Sequence, residues 1–173
     1  MNTSYLGDSY DVVKRFFCGM ARSAGYDVVV EPMFTGNWTP AQRSAYLRFL
    51  DARAFEPTSA DPSAALLVDP DTGIRSTPSA THVTFDMIAA RCKQFALVLV
   101  FDQAFARNQS GTQVMNAKLR TLRALGVRGL YYDSHARFLL CSLSSSRVMR
   151  FHKSLIHAGL PAARFLGLPA SAA

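Results

Sequence analysis

Residues 95–101 read Phe-Ala-Leu-Val-Leu-Val-Phe without one polar side chain. A strand with one face in water alternates apolar and polar residues, because successive side chains point to opposite faces. An unbroken apolar run of strand length therefore needs cover on both faces, as inside a layered α/β sheet. It is far shorter than the roughly 18 apolar residues of a membrane span. Lys93, Asp102 and Arg107 bracket it.

Shorter runs of the same kind lie at residues 26–30, 64–68 and 127–132, with further candidates at 137–143 and, as an edge strand, 163–168. Apolar residues recur at helical spacing over 9–24, 81–93, 110–125 and 144–158. Asp8 or Ser9 can cap the first of these, and Gly25 ends it. Thr39-Pro40, a cap followed by proline at the first helical position, opens another helix through about residue 50. Residues 56–63 form a polar connection too short to separate two domains. The alternation predicts one α/β domain over residues 1–168, a three-layer Rossmann-like sheet, mostly parallel, with helices on both faces. Residues 69, 102 and 133 would share one rim of neighbouring strands, and the tail 169–173 should fray.

Composition fits such a domain. Of 173 residues 49% are hydrophobic and 18% charged, which excludes a disordered chain. Residues 1–7 carry neither a basic region nor an apolar stretch of a secretory signal. Cys18, Cys92 and Cys141 are widely spaced, with no CxxC pair, and read as reduced, partly buried thiols of a cytoplasmic protein rather than a zinc site. Net charge is +7 and unevenly spread. Residues 1–102 hold 9 basic and 11 acidic side chains, whereas residues 103–173 hold 10 basic and one acid, Asp133. A basic face of this kind implies a polyanionic partner, most simply nucleic acid, or else a solvated surface or protein interface.

Four expected strands run into an acid. They are followed by Glu31, Asp69, Asp102 and Asp133, with His135 just beyond the last. Ligands of doubly wound sheets bind beyond the carboxyl ends of the strands. Loop starts also favour aspartate for its turn-capping side chain, which accounts for one or two of the four. In Asp69-Pro70-Asp71-Thr72-Gly73-Ile74, proline fixes φ and glycine supplies any positive φ, so the turn holds a carboxylate at a strand end. It can serve a ligand's amino group or a metal, or be an ordinary turn. Asp11 and Lys14 lie three apart on one helix face, as a simple ion pair or as a contact for a ligand carboxylate or phosphate. Phe105, Arg107, Tyr131, Tyr132, Arg137 and Phe138 mix aromatics with arginines near strand ends, where they stack on bases or fill the core. His82, His135, His152 and His157 lack metal-ligand spacing, and no GxSxG, P-loop or GxGxxG motif occurs.

Gly7-Asp8-Ser9-Tyr10-Asp11-Val12-Val13-Lys14 and Leu67-Val68-Asp69-Pro70-Asp71-Thr72-Gly73-Ile74 resemble motifs of a group of uncharacterised bacterial and phage proteins. Both remotely resemble the RlmJ-like ribosomal-RNA adenine methyltransferases. There an Asp-x-x-Lys helix touches S-adenosylmethionine and an Asp-Pro-Pro-Tyr turn accepts the target amino group. The resemblance implies a methyltransferase-like fold, with Asp11 and Lys14 matching the cofactor-contacting helix pair and Asp69 and Pro70 the start of the catalytic turn; on the enzyme reading Lys14 with Glu31 would hold the cofactor. Two departures stand out. Asp71-Thr72 replaces Pro-Tyr, so the ring that stacks on a flipped base is missing. The loop Glu31-Pro32-Met33-Phe34-Thr35-Gly36 is not a glycine-rich cradle.

Three functions follow as expectations. One is a nucleic-acid-acting enzyme of methyltransferase-like fold, with S-adenosylmethionine as cofactor. Another is a phosphodiesterase or nuclease using Mg or Mn on Asp69, Asp71, Asp102 and Asp133, with His135 nearby. The third is a non-enzymatic module that binds a polyanion or a protein.

Overall fold

The computed structural model describes residues 6–57, 60–105 and 110–167. The expected tail 169–173 and Arg107 lie outside them. The elements run α1 (Ser9–Ser23), β1 (Val28–Pro32), α2 (Pro40–Leu50), β2 (Arg53–Ala54), β3 (Asp61–Asp69), α3 (Phe85–Gln94), β4 (Phe95–Phe101), α4 (Gly111–Ala124), β5 (Arg128–Tyr132), β6 (Phe138–Ser142), α5 (Ser145–His157) and β7 (Phe165–Leu166). Asp8 caps α1 by accepting from the amides of Tyr10 and Asp11 at 2.9 and 3.0 Å. Thr39 and Gln42 form a capping box on α2, with Pro40 at its start.

One seven-stranded sheet has the order β2-β1-β3-β4-β6-β5-β7. The β1–β2, β1–β3 and β3–β4 pairs are parallel. The β4–β6, β5–β6 and β5–β7 pairs are antiparallel. The expectation of a mostly parallel sheet is therefore corrected to a mixed one. Its cause is loop length: residues 133–137 alone join β5 to β6, whereas a parallel return needs a crossover of a dozen or more residues. The hairpin partner β6 inserts beside β4, so β5 is not the neighbour of β4 that the run of apolar segments implied.

Every residue of β4 is buried, and its side chains alternate between two cores. Leu97, Leu99 and Phe101 join Val28, Val30, Leu67 and Leu140 on the face covered by α1, α2 and α5. Val98 and Val100 join Val29, Leu66, Val68 and Cys141 on the face of α3 and α4. Helices thus cover both faces, as expected.

Strand β3 starts at Asp61, earlier than its apolar run, and its register to β4 shifts between Asp61 and Ala65. The irregularity accommodates Pro62, which has no amide to give to a ladder. Strand β2 was not expected; two residues give no period. Helix α3 starts at Phe85 rather than residue 81, because Thr84 caps it through Met87 N. All three cysteines are buried and free, and burial pushes the Cys18 thiol up to about 12. No helix among the described residues is long and apolar enough to cross a membrane.

His152 sits on the buried face of α5, its ring edge-on to Phe165 at 4.5 Å. Neither ring nitrogen has a hydrogen-bond partner among the described residues. Burial lowers its pKa, so the unfolded chain takes up the proton first as pH falls. Stability should decline as pH drops through the ordinary histidine range near 6.5 and below. His152→Phe should flatten urea midpoints measured between pH 7.5 and 5. An unchanged pH slope in that variant would assign the decline to other groups.

Candidate functional site

Strands β1, β3, β4 and β5 point the same way, so Glu31, Asp69, Asp102, Asp133 and His135 all emerge at one edge of the sheet. From β1 the chain goes outward to β2, then returns across β1 to form β3. The strand order reverses there, between β1 and β3, the point at which sheets of this kind commonly bind ligands.

Both sequence motifs meet at this point. Lys14 Nζ lies 2.9 Å from Asp11 Oδ1 and 3.0 Å from Asp69 Oδ1. The Tyr46 hydroxyl donates to Asp69 Oδ2, and Gly7 N donates to Asp11 Oδ2 at 2.9 Å. Asp11, Lys14, Asp69 and Tyr46 are all at least nineteen-twentieths buried. Burial opposes the charge on Lys14, but Asp69 and Asp11 outweigh it and its pKa is raised. Burial is also the largest influence on Asp69 and lifts its pKa despite Lys14 and Tyr46. Two carboxyl groups thus face one ammonium, and the low-dielectric surroundings resist the second negative charge.

Aromatic rings close over this cluster. Phe34 and Trp38, from the loop after β1, lie 5.9 and 6.1 Å from the Tyr46 ring and 4.5 Å from each other. Phe101 lies 4.6 Å below Lys14 Nζ. Rings therefore occupy the position where a glycine-rich turn would stand.

A second buried acid organises the other half of the Asp-Pro-Asp-Thr-Gly turn. Asp102 is fully buried. Its Oδ1 accepts from Ile74 N at 2.9 Å and Ala104 N at 3.1 Å; its Oδ2 accepts from Lys118 at 2.6 Å and Tyr131 at 2.7 Å. Gly73, at φ +85°, lets the turn approach this carboxylate. Glu31 forms a two-pronged pair with Arg91, at 2.7 and 2.6 Å. Asp133 pairs with Arg137 Nε at 3.1 Å. Asp71 is exposed and accepts from Thr35 Oγ1 at 3.1 Å. His135 is exposed and bonds the Tyr10 hydroxyl through Nε2 at 2.6 Å.

The residues expected to act are thus on one edge but in separate small groups. Asp11, Lys14 and Asp69 come together; Glu31, Asp102 and Asp133 each hold a cation of their own. Among the described residues no group of three or more His, Cys, Asp or Glu is placed to hold a metal ion. Hard divalent cations want six or more oxygens, and the oxygens of Asp69 and Asp102 already accept from several protein donors. The donor set does not fit Mg or Mn. At the switch point two carboxyl groups, one ammonium and several aromatic rings come together.

Of the expected aromatics, Tyr131 and Phe138 are core residues, while Phe105 carries the Arg137 guanidinium 4.3 Å from its ring. Tyr46, Arg91 and Lys118 were not expected as site residues. Lys118 leaves a trace in sequence, a lysine on the apolar stripe of Met115, Leu119 and Leu122; Tyr46 looks like any core aromatic. Comparison of the chain with family models, curated proteins and solved structures finds no match.

Proposed function

We propose that this protein is a nucleic-acid-acting enzyme of methyltransferase-like fold whose ligand site is the β1–β3 crevice. One observation carries the reading: Lys14 of the first motif bonds Asp69 of the second at the point of strand-order reversal. A parallel half-sheet flanked by an antiparallel hairpin agrees with a methyltransferase-like layout, and the +9 of residues 103–173 with a nucleic-acid partner. S-adenosylmethionine, when bound, supplies the methyl group. Asp11, Lys14 and Tyr46 hold Asp69 in place, and that carboxylate sets the negative potential of the crevice. Because Asp69 is 1% exposed, acceptance of a substrate amino group passes to exposed Asp71, two residues along the turn.

Isothermal calorimetry with S-adenosylmethionine, followed by transfer of a labelled methyl group to mixed RNA and DNA, tests this. The wild type should bind the cofactor and label nucleic acid. Asp71→Asn should bind it equally but lose transfer by about 100-fold, the lower range for removing an acid–base group. Neither heat nor label would overturn the enzyme.

A second reading rests on a separate observation. A groove of about 460 Å³ at the start of β5 carries Arg123 and Arg128 over Leu119, Val127 and Met149, without an acid. It lies at the edge opposite Asp69. Nucleic-acid binding there without cofactor binding would make the protein a polyanion-binding module.

A further inference from the structure

The carboxyl edge holds a cleft that neither motif predicts. It has a volume of about 430 Å³, within the roughly 300–1,000 Å³ of small-molecule sites. It lies between the first turns of α1 and the β5–β6 hairpin, lined by Tyr10, Val13, Phe16, Phe17, Tyr132 and His135, with no charged side chain among its lining residues. Tyr10 and His135 stack nearly parallel, 5.3 Å between ring centres and 19° apart. At its mouth Val12 is 55% and Phe16 37% exposed, one turn apart on α1.

We infer that this cleft receives one unstacked base of a single-stranded nucleic acid, an inference that rests on the nucleic-acid reading above and names the part of the substrate the edge takes. Three observations fit that occupant. The walls are uncharged and ring-lined, and they suit the face of any base. The Tyr10 hydroxyl, bonded to His135 Nε2 at 2.6 Å, keeps further hydrogen-bonding capacity that a base edge can engage. A cation borders the cleft at the hairpin: Arg164 donates to the Asp133 carbonyl, one residue before Ser134 of the lining. Arg15, its guanidinium 5.2 Å from the Phe49 ring, lines the neighbouring groove past Val12 and Phe16 along α1. A phosphate beside an inserted base would meet Arg164.

The cleft also adjoins the buried cluster. The Tyr10 ring lies 5.5 Å from Phe101, which in turn lies under Lys14. The turn at Asp71-Thr72 lacks a stacking ring. Tyr10 and His135, from two other elements, supply one at the same edge.

The test uses the full chain and a short single-stranded oligonucleotide with one 2-aminopurine, read by fluorescence. Parallel calorimetry follows S-adenosylmethionine on the same proteins. The wild type should bind the oligonucleotide and change the probe's emission. Tyr10→Ala and His135→Ala should each weaken binding by roughly ten-fold, the scale of one stacked base. Tyr10→Phe, which keeps the ring and loses the bond to His135, should lose less. Cofactor heats should not change between variants. His135 is exposed, so His135→Ala keeps the test valid should Tyr10→Ala fail to fold. Oligonucleotide binding lost through these variants in a protein that ignores S-adenosylmethionine would sustain the cleft and remove the cofactor. Three results would overturn the inference: wild-type affinity in both alanine variants, no oligonucleotide binding by the wild type, or loss of cofactor heat instead. A dimer that Phe16→Glu dissociates, with oligonucleotide affinity unmoved by His135→Ala, would assign the face to a second copy.

Discussion

Lys14→Met should destabilise the protein by about 3–5 kcal/mol at neutral pH, the range for removing one partner of a buried ion pair. The substitution keeps the length of the stem and deletes the ammonium between Asp11 and Asp69. Two carboxyl groups then remain where burial already opposes ionisation of Asp69. The loss is a large share of the 5–15 kcal/mol typical of a domain, so unfolding by urea at low temperature is the appropriate readout. Lys14→Met/Asp69→Asn should recover at least half of it, since an amide still accepts from Tyr46 and carries no charge. Asp69→Asn alone should be nearly neutral or stabilising, because Lys14 keeps Asp11.

The signs with pH follow. Asp69 has a raised folded pKa, so its protonated form favours folding and that contribution fades as pH rises through the folded value. Lys14→Met should therefore regain stability as pH falls from above the ordinary carboxylate value down to it, with the gain complete below. In the wild type Lys14, whose pKa is also raised, contributes fully below the ordinary lysine value and loses that contribution only at more alkaline pH. A Lys14→Met penalty below about 1 kcal/mol would place the pair with weak surface bridges.

How much of this was legible depends on which interactions are local. Strand β4 and helix α2 matched their expected limits because a continuous apolar run and a Thr-Pro cap are complete signals within a few residues. The four acids at one edge followed from strand ends. Pairing did not. Lys14 meets Asp69 across 55 residues and Arg91 meets Glu31 across 60, and neither separation leaves a period in the chain. The mixed sheet had a readable signal in the short 133–137 connection, which outweighs the apolar character of the strands it joins. The Tyr10–His135 contact, 125 residues apart, had none. Chemistry at such an edge is assembled by topology, whereas the sequence advertises the residue types.

Gly73→Ala should be the most damaging single methyl in the described chain. At φ +85° an alanine leaves its favoured regions, at a cost of about 1–2 kcal/mol. Its Cβ would also meet Asp102 Oδ1 and stand 2.7 Å from the amides of Gln103 and Ala104, closer than real Cβ contacts allow. These are backbone and a carboxylate held by four donors, so the neighbours cannot swing aside as a flexible side chain would. Overpacking of this kind adds about 1–3 kcal/mol. The total, about 2–5 kcal/mol, is set against Gly36→Ala, where φ is +78° and nothing lies within 4 Å of the new methyl. That control carries the backbone term alone. A urea midpoint for Gly73→Ala well below that of Gly36→Ala would measure how tightly the turn is docked on Asp102. The same displacement should move Asp71, two residues away, and lower methyl transfer or nucleic-acid binding in whatever fraction stays folded. Equal costs at the two glycines would mean that the turn yields, and that Asp102 holds Ile74 and Lys118 without fixing the edge around Asp71.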